Sequence, residues 1–295
     1  MSHSGEWAAM LTAICWTVSA TSFSLAGQRI GSLPVNVIRM TIALALFAGI
    51  GMVTTGRPLP FGADASGWVW MTLSGLVGFF FGDLCLMRAL VEIGPRYSLL
   101  IMSLAPPMTA LLAAVFLGER LTPFEYGAMA VTLSGVVLVV TERQGTGAPL
   151  RFTWRGGALA FGGAIGQAAG MTVAKIGLRT IDSAFDATAI RVLAGTVGFL
   201  LFALLRREGP RLRAALRDRA AVATVAVGAA AGPVAGVWLL MYAMTLIPVG
   251  LAQTFAATTP VLIIPVSHFL HRERITARSV AGAGIAFAGV AMLFR

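Results

Sequence analysis

The chain consists of long apolar runs separated by short polar segments. Each run has about 20 residues, the length of helix that crosses the hydrocarbon core of a bilayer. The runs lie at 7–27, 34–54, 67–90, 97–117, 123–141, 154–176, 184–205, 220–244, 249–270 and 277–294. Because backbone groups in hydrocarbon must be hydrogen-bonded within their own segment, each run predicts a helix. The pattern therefore predicts an all-α integral membrane protein with ten transmembrane helices.

The second half of the chain repeats the first. Residues 79–141 align without a gap on residues 233–295, and a proline, a Glu-Arg-x-Thr segment and a late glycine keep the same register. The matched pairs include Pro106/Pro260, Glu119/Glu273, Arg120/Arg274, Thr122/Thr276 and Gly135/Gly289, and upstream Arg39 matches Arg191. We therefore predict a first repeat at 1–142, a connecting loop at 143–153 and a second repeat at 154–295.

Each repeat holds five predicted helices, so two copies joined in sequence must lie upside-down relative to each other in the membrane. This predicts two inverted five-helix repeats around a central cavity. In membrane proteins built this way, the two halves exchange conformations and open the cavity to each side in turn. The two Glu-Arg-x-Thr turns are then expected on opposite faces of the membrane.

Composition agrees with a membrane protein, because 57% of the residues are hydrophobic, 12% are charged and mean hydropathy is +0.84. The formal net charge of +10 does not indicate nucleic acid, since the arginines lie between spans without interleaved aromatic residues. Of the 22 basic residues, 14 follow spans one, three, five, seven and nine, and five lie on the other side. The positive-inside rule places the first group in the cytoplasm and both termini outside. We expect no nucleic-acid partner.

Residues typical of enzymes and metal sites are sparse. Cys15 and Cys85 lie inside apolar runs and are interpreted as small buried hydrophobic residues. The histidines His3, His268 and His271 are too few and too poorly spaced for a metal cluster. The sequence offers neither paired carboxylates for a magnesium–diphosphate site nor a nucleophile motif. We expect no enzyme activity, no metal and no cofactor.

The ten spans, the mid-helix prolines of spans four and nine, and the segment LGERLT at 117–122 resemble the EamA branch of the drug/metabolite transporter superfamily. The resemblance implies a bacterial inner-membrane exporter of small organic solutes, with lipid and a small-molecule substrate as partners. We expect a monomer as the working unit. The chain is most similar to bacterial exporters of aromatic and other amino acids. Members of this branch are often drawn with both termini inside, whereas the charge count favours both termini outside.

Helix breaks in spans four and nine indicate a substrate site, because interrupted helices at matching positions of two repeats line such sites. Pro106 and Pro260 each free a carbonyl one turn earlier, at Met102 and Ala256. A packing kink is the alternative interpretation of both prolines.

Spans three and eight form the next matched pair. Gly82 and Gly236 permit close helix approach, while Trp238 and Tyr242 follow four residues apart on one helix face. These two rings either stack on a solute in the cavity, or pack in the core or against lipid. The predicted substrate cavity comprises Trp16, Asp83, Met102, Pro106, Trp238, Tyr242, Gln253, Ala256, Thr259 and Pro260. The predicted structural or gating residues are Gly82, Gly236, Glu119, Arg120, Glu273 and Arg274, with the Glu-Arg pairs clasping adjacent helices.

Charged residues inside the spans are few. Asp83 is the carboxylate that lies clearly inside a span. Because an ionisable side chain is costly at that depth, we expect Asp83 to have a functional role. Arg88 is expected to pair with Glu92 at the i,i+4 spacing. Three basic residues near span ends are expected to extend to the lipid headgroups: Arg39, Arg191 and Lys175. For the two matched arginines, the alternative is to anchor a substrate carboxylate or a gate.

Span one contains no acidic residue after Glu6, and its equivalent in the second half contains none. The small multidrug branch of the superfamily carries a glutamate in span one that binds cations and protons. We therefore expect facilitative export, by alternating access, of small amphiphilic solutes such as aromatic and other neutral amino acids and related metabolites. The alternative is a proton-coupled multidrug or metabolite exporter that uses Asp83.

Overall fold

A computed structural model describes residues 3–60, 62–141, 152–264 and 276–294, and all regular structure in these residues is helical. The apolar helices are α1 (Ser4–Ile30), α2 (Ser32–Thr55), α3 (Ala65–Leu90), α4 (Tyr97–Phe116), α5 (Pro123–Val140), α6 (Trp154–Gly177), α7 (Ala184–Leu205), α8 (Arg219–Leu246), α9 (Val249–Ile264) and α10 (Ala277–Leu293). Helices α1 to α8 are long and apolar enough to cross a membrane, whereas α9 and α10 are shorter. The all-helical prediction is confirmed, and the predicted end of span nine, 265–270, lies outside the described residues.

Side chains at the N-termini set where several helices begin. At the starts of α5, α6, α7 and α10, the capping side chain accepts a hydrogen bond from a backbone N–H three residues later, and the capping residues are Thr122, Thr153, Ser183 and Thr276. The matched threonines of the two Glu-Arg-x-Thr segments are therefore both helix caps, which explains why the repeat keeps them.

Asp218 caps α8 in the same way, at the end of the short helix Gly209–Arg217 that joins α7 to α8. Its carboxylate accepts a hydrogen bond from the Ala221 N–H at 3.0 Å, and Arg29 donates to it through Nε and Nη2 at 2.9 and 3.2 Å. The Ala221 N–H and then the Arg29 guanidinium hold the pKa of Asp218 below its usual range.

Two pairs of helices are interrupted at matching positions of the two halves. A π-helical segment lies within α3 at Gly75–Gly82 and within α8 at Ala230–Gly236. Helix α4 is broken at 103–104 and α9 at 257–258, in each case just before the matched proline. Proline has no N–H to donate, so the preceding turn cannot continue as a regular α-helix. The structure shows the interruptions predicted for spans four and nine.

Helices of one half pack against helices of the other, and the main pairings recur when the halves are exchanged. Thus α1 packs on α8 as α6 packs on α3, while α2 packs on α7, α4 on α9 and α5 on α10. Between α2 and α7, Met40 lies beside Gly195, and Phe47 contacts Phe185 with ring centroids 4.8 Å apart. Because residue numbers rise along one helix as they fall along the other, these equivalent helices are antiparallel.

The α5–α10 pair is also antiparallel. A Cβ added to Gly135 would lie 2.3 Å from the backbone N of Ala286, and one added to Gly289 would lie 2.4 Å from the backbone N of Thr132. Small residues let helix backbones approach in a membrane, where van der Waals contact replaces the hydrophobic effect as the source of helix association. The matched glycines therefore hold the fifth helices of the two halves together.

We expect Gly135→Ala to destabilise the protein by about 1–3 kcal/mol, because the added methyl group forces α5 away from α10. The measurement is the thermal unfolding midpoint of the purified protein in detergent. Gly127→Ala is the matched control on the same helix, since no atom lies within 4 Å of a Cβ added there. An unfolding midpoint for Gly135→Ala equal to that of the control would contradict this account of the crossing.

Candidate functional site

A cavity of about 670 Å³ opens at the end of the bundle where α2 and α6 begin and where α3 and α7 end. Its charged lining consists of three arginines and two glutamates: Arg88, Arg155, Arg206, Glu92 and Glu208. The charged lining therefore carries one net positive charge at this end of the protein. Apolar side chains such as Leu33, Leu84 and Phe199 complete the wall.

Ion pairs at the mouth of the cavity differ from the predicted one. Glu92 lies 3.8 Å from Nε of Arg155 and accepts a hydrogen bond from the Thr153 hydroxyl at 2.8 Å. The Arg88 guanidinium lies 5.9 Å from the ring centroid of Phe202. The predicted Arg88–Glu92 pair is wrong, because Arg88 turns toward α7 while Glu92 turns toward the start of α6.

An ion pair lies just beyond the inner end of the cavity. Asn36 and Met87 line the cavity, and one helical turn deeper Arg39 binds Asp83 through Nη2 and Oδ2. The two side chains are 12% and 22% exposed, and the Arg39 guanidinium also lies 5.2 Å from the ring centroid of Phe23. The prediction that Arg39 extends to the headgroups is wrong, because the carboxylate on the neighbouring helix holds it.

Arg191, the residue that matches Arg39 in the second half, is fully buried. Its Nη1 lies 3.2 Å from the sulfur of Met241 and 3.8 Å from that of Met171, and its guanidinium lies 4.9 Å from the ring centroid of Phe79. Within the part of the chain that the structure describes, Nε and Nη2 of Arg191 have no hydrogen-bond partner. The prediction that this side chain reaches the headgroups is wrong, because α3, α6 and α8 enclose it.

At the opposite end of the bundle, Glu119 and Lys175 form a clasp between helices. The Glu119 carboxylate lies 3.1 Å from Lys175 Nζ and accepts a hydrogen bond at 2.9 Å from the Val249 N–H, at the start of α9. Lys175 also donates to the carbonyl of Met244 and, at 3.2 Å, to that of Ile247. The expected extension of Lys175 to the headgroups is wrong, since its ammonium joins the end of α4 to the ends of α6 and α8.

The other charged residues of the two Glu-Arg-x-Thr segments contribute less to this clasp. Arg120 is exposed, whereas Arg179 donates to the carbonyl of Leu117 at 3.1 Å beside it. Glu273 and Arg274 lie outside the described residues, so their predicted clasp stays a prediction.

Gly82 and Gly236 lie at equivalent helix crossings. A Cβ added to Gly166 on α6 would lie 2.7 Å from Cα of Gly82 on α3. A Cβ added to Gly236 on α8 would lie 2.8 Å from Cδ1 of Trp16 on α1. Both glycines therefore permit close approach of a third helix in one half to a first helix in the other.

The aromatic pair of α8 lies away from the 670 Å³ cavity. The side chains of Trp238 and Tyr242 are 42% and 41% exposed, on the outward face of the helix in this conformation. On α4, Pro106 is buried and Met102 is half-buried, and neither lines that cavity. A substrate-binding role for these four residues stays a prediction.

The predicted residues of α9 cluster beside α1. Ala256 and Gln253 are buried, and Nε2 of Gln253 has no hydrogen-bond partner among the described residues. The Thr259 hydroxyl donates to the Ala256 carbonyl at 2.8 Å and lies 3.5 Å from the Ala13 carbonyl. Because Pro260 cannot donate to Ala256, the neighbouring hydroxyl satisfies that carbonyl. This cluster and Asp83 are not brought together.

The sequence does not predict the observed environments of three side chains, which are Asn36, Arg191 and Lys175. Asn36 is buried at the inner end, with its amide donating to the Ser32 carbonyl at 3.0 Å. A polar residue in an otherwise apolar run was the signal for it. Arg191 is the eighth residue of α7, which begins at Ala184, and that depth was the signal for its burial. For Lys175 no local signal exists, because its partner lies on another helix.

Comparisons with known proteins agree with this architecture. The model of the EamA-like transporter family matches residues 3–141 and again residues 154–295. A probable terminal-alkyne amino-acid exporter of Streptantibioticus cattleyicolor is 28% identical over 134 residues, covering 45% of this chain and 43% of that protein, so less than half of the relative is matched. A solved crystal structure superposes with a TM-score of 0.78 at 18% identity, covering 99% of this chain and 97% of that chain, which shows the fold alone. Because the family model accounts for both halves, the chain belongs to the EamA-like transporter family.

Proposed function

We propose that the protein exports small amphiphilic solutes, chiefly aromatic and other neutral amino acids and related metabolites. The observation that carries the proposal is a largely enclosed ion pair, Arg39 with Asp83, one helical turn beyond the inner end of a cavity in a transporter fold. A guanidinium and a carboxylate side by side offer one partner to each charged group of a zwitterion. The relative's name as a probable amino-acid exporter supports the same substrate class, although the match covers less than half of its length.

The chain is a multi-pass protein of the bacterial inner membrane, since it combines a transporter family, apolar helices and a bacterial relative. The cavity opens at the end that carries the arginine-rich segment 206–219. The positive-inside rule favours the cytoplasm for that end. We infer that this conformation loads substrate from the cytoplasm, which is the side from which an exporter must take it.

We further infer that α9 and α10 complete ten crossings, arranged as two inverted five-helix repeats. The antiparallel packing of α2 on α7 and of α5 on α10 supports this, because equivalent helices of the two halves then run in opposite directions. The recurrence of the main helix pairings on exchange of the halves supports it as well. A cavity between two such halves can open to each side in turn.

The inverted arrangement predicts that Arg120 and Arg278, at the starts of equivalent helices, lie on opposite sides of the membrane. In a protein without native cysteines (Cys15→Ser, Cys85→Ser), single cysteines at these exposed positions would be labelled with a membrane-impermeant maleimide. We expect Arg120→Cys to react in intact cells and Arg278→Cys to react after permeabilisation. Both must react in detergent, as a control for thiol reactivity. Labelling of both from the same side would exclude the inverted repeat.

We propose that the Glu119–Lys175 clasp is the closed gate on the side opposite the cavity. Its two partners come from different halves, and their side chains are 17% and 15% exposed, so solvent screening is limited. To open that side, α4 must separate from α6, and the clasp must break. The Val249 N–H and the carbonyl groups of Met244 and Ile247 then exchange their side-chain partners for water.

Locking this clasp should stop transport. In the variant Glu119→Cys/Lys175→Cys, also without Cys15 and Cys85, a short cleavable thiol cross-linker joins α4 to α6. We expect solute flux in proteoliposomes to fall to background after cross-linking and to recover after reduction. Each single-cysteine variant with the same reagent is the control for modification alone. Full flux through cross-linked protein would show that this contact is not a gate.

The Arg39–Asp83 pair favours a facilitative mechanism over proton coupling. If Asp83 carried a proton, Arg39 would lose its partner inside the membrane, and an unpaired charge there is costly. The alternative, a proton-coupled multidrug or metabolite exporter, is favoured by one observation, which is that Asp83 lies next to the cavity at its inner end.

The function is tested by uptake of labelled phenylalanine, threonine and methyl viologen into proteoliposomes with and without a pH gradient. Phenylalanine flux down its own gradient, without a pH gradient, is the expected result. Flux that requires a pH gradient and is lost in Asp83→Asn would establish the proton-coupled alternative. The absence of flux of either amino acid under both conditions would refute the proposed substrate class.

Trp238 and Tyr242 are proposed to contact aromatic substrates in a conformation other than this one. Replacing either with Ala should lower phenylalanine flux about 2- to 10-fold relative to threonine flux, the range expected for loss of one aromatic contact. Trp154→Ala is the matched control, because that side chain is 85% exposed at the start of α6. An unchanged ratio of the two fluxes in both variants would remove these rings from the substrate site.

A further inference from the structure

The interior of the bundle holds more positive than negative charge beside the cavity. Arg39 and Asp83 form an ion pair, and Asp83 also interacts electrostatically with Arg191. The cluster therefore contains two guanidinium groups and one carboxylate, which leaves it a net charge of +1. Arg191 itself forms no salt bridge among the described residues.

The contacts of Arg191 are weak substitutes for an anion. The thioether sulfurs of Met171 and Met241 are weak hydrogen-bond acceptors, and the ring of Phe79 offers a cation–π contact. A fully buried guanidinium with unsatisfied donors is costly in a low-dielectric interior. An anionic group bound at this point would pair with the guanidinium and satisfy its unsatisfied donors.

The unsatisfied donors of Arg191 identify the kind of anion. Nε and Nη2 lie on the same edge of the guanidinium and have no partner among the described residues. In this protein, Arg29 uses the same two atoms to bind both oxygens of the Asp218 carboxylate. A carboxylate therefore matches the free edge, because its two oxygens accept two parallel hydrogen bonds from a guanidinium.

We propose that the Nε–Nη2 edge of Arg191 binds the carboxylate of the transported amino acid, while Asp83 receives its ammonium group. This inference rests on the proposed function and adds to it the chemical group by which the substrate is recognised. The substrate carboxylate then pairs with the second guanidinium, and its ammonium group lies beside Asp83; because a zwitterion carries no net charge, the cluster keeps its net charge of +1.

The arrangement also indicates where the protein must move for binding. In this conformation the cavity ends one helical turn short of the Arg39–Asp83 pair. Arg191 lies deeper in the bundle, beside Gly78 of α3. A Cβ added to Gly78 would lie 3.5 Å from Nη2 of Arg191. Gly78 belongs to the π-helical segment Gly75–Gly82 of α3, a form of helix that is frequent at functional sites. A shift of this segment admits the substrate carboxylate to the free edge.

The test measures competition against labelled phenylalanine, for both binding and uptake, by two analogues with the same ring. The analogue 3-phenylpropionate has the carboxylate without the ammonium group, and phenethylamine has the ammonium group without the carboxylate. We expect phenethylamine to bind the wild-type protein about 10- to 100-fold more weakly than phenylalanine, the loss typical of one charged hydrogen-bonded contact. We expect 3-phenylpropionate to compete better than phenethylamine.

Arg191→Gln should abolish this preference for a carboxylate, and Arg191→Lys should restore part of it by restoring the charge. Arg213→Gln is the matched control, since it removes an exposed arginine from the short helix outside the cavity. The preference is a ratio, so partial loss of folded protein does not change it. If Arg191→Gln does not purify as a folded protein, the wild-type ratio and the Arg191→Lys variant decide the question.

The outcomes separate this inference from the proposed function. If the wild-type protein transports phenylalanine but phenethylamine competes equally well, or if Arg191→Gln keeps the wild-type ratio, the inference is wrong and the export function stands. If chloride competes as well as 3-phenylpropionate at equal concentration, the edge binds inorganic anions and the inference is wrong. If the wild-type protein transports no amino acid, the proposed function itself fails.

Discussion

Direct contact between helix backbones of the two halves is the constraint on which the rest of the structure depends. A Cβ added to Gly166 would lie 2.7 Å from Cα of Gly82, and one added to Gly135 would lie 2.3 Å from the backbone N of Ala286. In a bilayer, such contact is a main source of helix association. Because each contact joins one half to the other, the halves pack as a single bundle while keeping equivalent roles.

The same close packing allows charge to be held inside the bundle. Helices α3, α6, α7 and α8 converge on Arg191, and α2 and α3 enclose the Arg39–Asp83 pair. At the opposite end, Glu119 and Lys175 tie the halves together beside the start of α9. A cavity at one end and a clasp at the other make the bundle asymmetric across the membrane. That asymmetry is the feature expected of one state of an alternating-access transporter.

Much of the architecture could be predicted because it depends on local properties of the chain. Hydropathy placed the apolar runs, and Pro106 and Pro260 placed the breaks of α4 and α9, since each proline removes a backbone donor wherever it stands. The repeated threonine of the Glu-Arg-x-Thr segment is explained by helix capping at Thr122 and Thr276. The π-helical segments of α3 and α8 had no predicted counterpart, because they arise where helices cross and not from the local pattern.

The predicted partners of individual charged side chains were less often correct, because the actual partners lie on other helices, far away in sequence. Arg88 and Glu92 are four residues apart, yet each turns to another helix, because the neighbouring helices offer a ring and an arginine. Spacing within one helix describes only neighbours on that helix.

The sequence by itself determined that this is a helical membrane protein made of two related halves, since hydropathy, proline positions and internal repetition are properties of the chain alone. Only the tertiary structure decided which charges are paired and which are enclosed. Asp83 lies 44 residues from Arg39 in the sequence, and Glu119 lies 130 residues from Val249, whose N–H donates a hydrogen bond to the Glu119 carboxylate. Such partners meet only after the helices have packed, because the energy of a charge inside a bilayer depends on what surrounds it in space.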